Sequence, residues 1–169
     1  MKKFELTAEF VTNVFGKKLF RIKALVAFGD VEKGELGGFI EKEDNLSHDD
    51  NAWVSGNAWV YGDARVYGDA RVSGNACVYG DAWVYGNAQV SGNADYAAVA
   101  GFGRYSRTTT FFRCKDKILR VQCGCFYGDL AQFREIVKKT HGDSKYAKEY
   151  LAIADLMELH FSDECGGEQ

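Results

Sequence analysis

Between residues 52 and 95 apolar and polar positions recur with a beat of six, A-x-V-[YS]-G-[ND], without a gap. Val stands at 54, 60, 66, 72, 78, 84 and 90, with Ala two residues before each. Residues two apart in an extended segment face the same way. Ala and Val therefore point to one side, inward, and the residues beside them point outward. Gly-Asn or Gly-Asp closes each unit. Gly has no Cβ penalty and Asn or Asp tolerate left-handed dihedrals, so each pair predicts a corner. Three such sides close a triangle of 18 residues. A second beat supports that closure: the residue after each Val reads Ser55, Tyr61, Tyr67, Ser73, Tyr79, Tyr85, Ser91, returning to Ser every 18 residues. The same period stacks Trp53, Arg71 and Gln89 on one side, Trp59, Cys77 and Asp95 on the next, and Arg65 with Trp83 on the third.

The flanks follow other periods. F-V-T-N-V-F-G-K-K-L-F-R-I-K-A-L-V-A-F predicts a hairpin turning at Gly16-Lys17. The six-residue spacing begins at Ile40 and Leu46, with Gly38 in the Ala slot. Leu46 to Val54 is eight residues, so two extra residues loop out near S-H-D-D, residues 47–50. After the repeat, R-T-T-T-F-F-R-C-K and I-L-R-V-Q-C-G-C-F predict a second hairpin turning near Asp116-Lys117. Asp129 and Gln132 form a capping box opening a helix whose apolar face is Leu130, Phe133, Ile136 and Val137. Gly142 ends it. A second helix, capped by Asp143 or Ser144, presents Tyr146, Tyr150, Ile153, Ala154 and Met157. The expected organisation is a cap hairpin over 1–37, a solenoid over 38–100, a ββαα region over 101–161 and a flexible tail over 162–169.

The pairs Val54…Ala58, Val60…Ala64 and their successors match the hexapeptide-repeat pattern, an aliphatic residue followed four positions later by a small one. The chain resembles that family. The resemblance implies a mainly β fold: a short, three-sided, left-handed parallel β-helix, here between an N-terminal hairpin cap and a C-terminal ββαα cap. Rungs of such a stack lie about 4.8 Å apart. A short stack has two open ends of unpaired strand groups, which explains the caps. The order of repeat, C-G-C-F-x-G hairpin and two helices also resembles small solenoid proteins of phages, prophages and bacteria.

Charge adds a polarity along the chain. The 169 residues carry a net charge of −3, which does not favour nucleic acid as a partner. Residues 41–50 hold five acids against one Lys, whereas Arg104, Arg107, Arg113, Lys115, Lys117 and Arg120 stand against Asp116 alone. The basic run suits a phosphate-bearing ligand or an acidic partner surface. It equally suits an edge hairpin whose Lys and Arg discourage strand pairing. No apolar run has the length of a membrane span. Glu5 and Glu9 stand where a signal peptide needs apolar residues, so the expected compartment is the cytoplasm, a host's if the chain is phage-encoded. The five cysteines then read as reduced thiols, those of C-G-C at 123–125 as buried small hydrophobes, and without a C-x-x-C pair no metal or other cofactor is expected.

Acyltransferases of the hexapeptide-repeat family generally use a His base, which makes His48, beside Asp49 and Asp50, the one catalytic candidate. The family's carbonic anhydrases bind zinc through three His; His48, His141 and His160 lie outside the uninterrupted repeat. The first expectation is therefore a non-catalytic binding protein. Its candidate binding residues are Trp53, Trp59, Trp83, Arg65 and Arg71 on the repeat, and Arg104, Arg107 and Arg113 beyond it. Outward Trp columns imply a protein interface, with a host protein or with further copies in a trimer. An acyltransferase using His48 is the alternative.

Overall fold

The computed structural model describes residues 1–162; the expected tail beyond them, and Cys165, lie outside the described residues. The strands that precede the repeat are β1 (Phe4–Thr12), β2 (Lys18–Ala24) and β3 (Leu36–Ile40). Each A-x-V unit then forms a two-residue strand: β4 (Trp53–Val54), β5 (Trp59–Val60), β6 (Arg65–Val66), β7 (Arg71–Val72), β8 (Cys77–Val78), β9 (Trp83–Val84) and β10 (Gln89–Val90). β11 (Tyr96–Phe102), β12 (Arg107–Arg113), β13 (Leu119–Cys123) and β14 (Phe126–Asp129) lead into α1 (Leu130–His141) and α2 (Lys145–His160).

The short strands pair in parallel at 18-residue steps: β4 with β7 with β10, β5 with β8, and β6 with β9. Backbone bonds follow the same register, with Trp53 N donating to Ala70 O, Arg65 N to Ala82 O and Ser73 N to Val90 O, at 2.9–3.1 Å. Every Ala and Val of the repeat from Ala52 to Val90 is fully buried, forming one continuous core. Corner glycines 56, 62, 68, 74, 80 and 86 have φ between 62° and 69°, which disfavours any residue with a Cβ. Gly92 does not: its φ is −163°, and a 3₁₀ turn over Asn93–Asp95 takes the chain out of the coils there. The Ser/Tyr/Tyr beat becomes packing, with Tyr61 stacked on Tyr79 and Tyr67 on Tyr85 at ring distances of 5.5 and 4.4 Å.

At the first end, β3 joins both systems. It pairs in parallel with β5 and antiparallel with β2, so the hairpin extends one stack sideways. Ile40 lies beside Val60 and Leu46 bridges to Val66, each 20 residues apart, which absorbs the two-residue loop before β4. Gly38 must be Gly, because a Cβ there would come within 2.7 Å of the Ala58 carbonyl oxygen. Polar side chains finish this end. Asn45 donates to Gly62 O and Ala64 O and accepts from Lys42 N. Lys3, buried, donates to the carbonyls of Asp49, Asp50 and Ala52. Burial, then the neighbouring Arg71 charge, push its ammonium down to about 8.

The opposite end is closed by a sheet with a core of its own. β11 to β14 form one antiparallel sheet in sequence order, so the C-terminal region is four strands and two helices rather than ββαα. β12 lies across the last coil. Its alternate residues divide two cores: Thr110, Phe112 and, just beyond the strand, Cys114 face the solenoid, while Thr109 and Phe111 face the helices. Asp129 and Gln132 form the expected capping box. On α1, Phe133 and Val137 are buried but Ile136 is exposed; on α2, Ala147 rather than Tyr146 joins the buried face, because Tyr146 sits one position round toward solvent. No helix of the described residues is long and apolar enough to cross a membrane.

Candidate functional site

One of the three parallel stacks is covered on its outer side. On the β4–β7–β10 stack, Trp53 is only 1% exposed, because Phe28 packs edge-on against its ring at 5.3 Å. Arg71 of the same stack is tied to Asp30. The expectation that Trp53 is exposed is therefore corrected, and Arg71 is committed to the N-terminal cap. On the β3–β5–β8 stack, Trp59 is half-buried between Phe39 and Cys77 in the register. The three Trp lie on three different stacks and make no common patch.

The β6–β9 stack is left open. Only the single Leu46 bridge extends it on the N-terminal side. Beyond β9 the Trp83 backbone N–H finds a side chain instead of a strand, donating to Thr110 Oγ1 at 3.0 Å. Arg65 and Trp83 are register neighbours here and both are exposed. Tyr67 supports Trp83 edge-on at 5.9 Å. Among the described residues no carboxylate lies within 4.0 Å of the Arg65 guanidinium. Trp83 stands between two hollows. One of about 530 Å³ is lined by Glu43, Ser47, His48, Arg65 and Tyr67. The other, about 430 Å³, is lined by Asp81, Ser106, Arg107, Thr108 and Gln122. Residues from the repeat and from the basic hairpin thus meet at one aromatic ring.

The basic run itself divides. Arg113 is structural: Nη2 donates to Phe161 O at 3.0 Å and Nε lies 3.5 Å from Asp95. Arg120 makes two 2.8 Å bonds to Asp116. Arg104 and Arg107, at the β11–β12 tip, share the exposed Tyr105 ring, at 5.6 and 4.9 Å from its centroid. Beneath them is a hollow of about 200 Å³ lined by Cys123, Phe126, Phe133, His141 and Tyr150. Burial pushes the Tyr150 phenol up to about 12, so it remains a neutral hydroxyl at ordinary pH. Cys114 is buried, but of the C-G-C pair Cys123 is half-buried and Cys125 exposed, against the expectation that both are interior.

His48 is placed for structure. Its Nδ1 accepts the Lys3 backbone N–H at 3.1 Å, which leaves the ring proton on Nε2. Nε2 is itself buried and faces Glu43 at 3.5 Å; the expected partners Asp49 and Asp50 instead turn their carbonyls to Lys3. Phe4 stacks on the ring at 4.1 Å. Neither nitrogen has a free lone pair aimed at the adjacent hollow, which a general base requires. His141 lies against Tyr146 and Tyr150, and His160 against Phe161. Among the described residues no three His, Cys, Asp or Glu side chains gather at metal-binding distance.

Sequence reasoning passed over Tyr67 and Tyr105. Tyr67 was legible only as a member of a column. Tyr105 had one signal, its place between two Arg in R-Y-S-R.

A family model described as the YdcK beta solenoid repeat matches residues 64–80 and, overlapping, 70–86. That span runs from β6 to β9 and contains Arg65, Tyr67 and Trp83. With the parallel stacks, it makes the repeat a β-solenoid. No curated protein matches the sequence.

Proposed function

We propose that the chain is a non-catalytic binding protein, a left-handed, three-sided β-solenoid that presents the Trp83 surface to a protein partner. One observation carries this reading: an exposed Trp, supported by Tyr67, stands between Arg65 and Arg107 on the β6–β9 stack. Trp and Arg are the side chains that most often dominate binding at the centre of an interface. Exposed on a rigid frame, they lose little entropy when a partner covers them. The handedness rests on the hexapeptide-repeat resemblance. The likeness of the overall order to phage and prophage solenoids supports a host protein, a defence enzyme among the candidates, as the partner whose action is blocked.

The test is affinity capture from host lysate with the wild-type chain and with Trp83→Ala, both shown folded by circular dichroism. A protein retained by the wild type and reduced at least thirtyfold by Trp83→Ala is the expected outcome, matching a loss of about 2 kcal/mol or more. Equal capture by both forms overturns the reading. The acyltransferase alternative needs His48 as a base, and the Nδ1 bond to Lys3 with the burial of Nε2 counts against it. Acetyl transfer by the wild type that His48→Ala abolishes would restore it. A side-to-side trimer, which the same resemblance implies, would use the Trp59 and Tyr79 side, and light scattering at micromolar concentration tests it.

A further inference from the structure

The β11–β12 tip is built to hold two cations still without neutralising them. Gly101 and Gly103 have φ of 92° and 81°, and Ser106 stands at 52°. A Cβ on Gly103 would collide with the Tyr150 hydroxyl, and one on Gly124 with the Arg107 guanidinium. Both positions also have positive φ, 81° and 60°, which favours Gly whatever lies against them. Gly103 N–H donates to Glu149 Oε2 at 2.8 Å, fastening the tip to α2. Tyr105 carries both guanidinium groups on its ring, an arrangement that holds the plane of an Arg while leaving its N–H edges open. Among the described residues no carboxylate lies within 4.0 Å of either Arg, whereas Arg113 and Arg120 nearby are both paired.

The hollow below has the opposite character. Phe126, Phe133, Ile136, Val137, Tyr150 and His141 line most of it. At about 200 Å³ it is smaller than the usual site for a whole drug-sized ligand, and takes one ring system. Two unpaired guanidinium groups at the mouth match a doubly charged phosphate, to which Arg bonds in bidentate fashion.

We infer that the Arg104–Tyr105–Arg107 tip and the aromatic hollow beneath it form a binding site for a phosphorylated planar ring, a nucleoside monophosphate. The two Arg hold the phosphate and the hollow takes the base. The site shares Arg107 with the partner surface but does not depend on Trp83.

Isothermal titration of the full chain with the four ribonucleoside 5′-monophosphates, ribose 5-phosphate and inorganic phosphate tests this. At least one monophosphate binds, and at least tenfold more tightly than ribose 5-phosphate or phosphate. Arg104→Gln and Arg107→Gln each weaken it at least tenfold, and Lys115→Gln, a charge change of the same sign in the next turn, weakens it less than twofold. Trp83→Ala leaves nucleotide binding intact while removing the protein partner, so the two readings fail separately. Binding by none of the monophosphates overturns the inference. So does equal, salt-sensitive binding of every anion, or binding that survives Arg104→Gln. Loss of nucleotide binding in Trp83→Ala also overturns it, by moving the ligand to the neighbouring 430 Å³ hollow.

Discussion

The two ends of the solenoid solve one problem by different means. Both must satisfy strand groups that have no further coil to bond. The first end does it with single polar side chains, Asn45 and Lys3, and by letting β3 carry the hairpin β1–β2 sideways. The hairpin brings no second core: Phe4, Ile22, Ala24 and Val31 belong to the solenoid's own. The last end is covered by β12, which presses Phe112 onto the coils and turns Phe111 toward α1 and α2. A side-chain cap costs few residues and stays level with the coil it closes. A sheet cap brings its own core, and with it loops that reach past the coil edge. The open Trp83 surface and the Arg104–Tyr105–Arg107 tip both lie where those loops reach.

The contrast can be broken from the last end first. Phe112→Ala leaves a cavity between β12 and the coils, and should cost about 4 kcal/mol in urea unfolding. Phe111→Ala is the control that sharpens it: a similar loss with early, separate melting of helix signal would show that the second core unfolds on its own. At the first end, Asn45→Ala removes three hydrogen bonds and strands the buried Ala64 carbonyl and the half-buried Gly62 carbonyl. A loss of about 3 kcal/mol is expected in the same measurement, without a change in m-value.

Lys3 gives a pH signature to the first end alone. Its ammonium titrates at about 8 when folded, below its ordinary value when unfolded. Between those two values the unfolded chain binds the extra proton, so stability rises with pH across that window. The gain is on the order of 2 kcal/mol and should vanish in Lys3→Met. The difference between the two chains is the quantity to measure. Above about pH 10 the trend reverses for both: burial raises the phenols of Tyr67, Tyr127 and Tyr150 to about 12, and their contribution is lost as they ionise. The smallest effect is Asp129→Ala, which removes the α1 cap and should cost about 1 kcal/mol while leaving the first end's pH response unchanged.

The regular part of the fold was legible because each repeat position has one physical duty. Ala and Val meet the same neighbours at every turn, and the corner glycines need the same positive φ. The late end of the repeat was not legible. Gly92 looks like the other six, and only the turn over Asn93–Asp95 distinguishes it. Residues 96–100 fell inside the expected solenoid, because the pairing of β11 with β12 is set by distant contact rather than by local pattern. Outward positions were the least legible. Trp53, Trp59 and Trp83 occupy the same slot in sequence, and only the placement of Phe28 buries the first while leaving the third open. The Arg residues of the basic run likewise differ only in what lies opposite: Asp95 for Arg113, Asp116 for Arg120, and an aromatic ring for Arg104 and Arg107.

The 18-residue register makes the molecule adjustable in length. Every coil offers the next the same upper face, so a copied block such as residues 64–81 would slot in without disturbing either end. Each insertion would lift β12 about 4.8 Å further from Asn45, one rung at a time. A partner that spans from the acidic loop to the hairpin tip would feel that change as a stepwise mismatch, whereas a ligand held wholly by the tip would not notice it. The coil number is thus a gauge, cut in fixed increments, of the distance the outer surface is made to match.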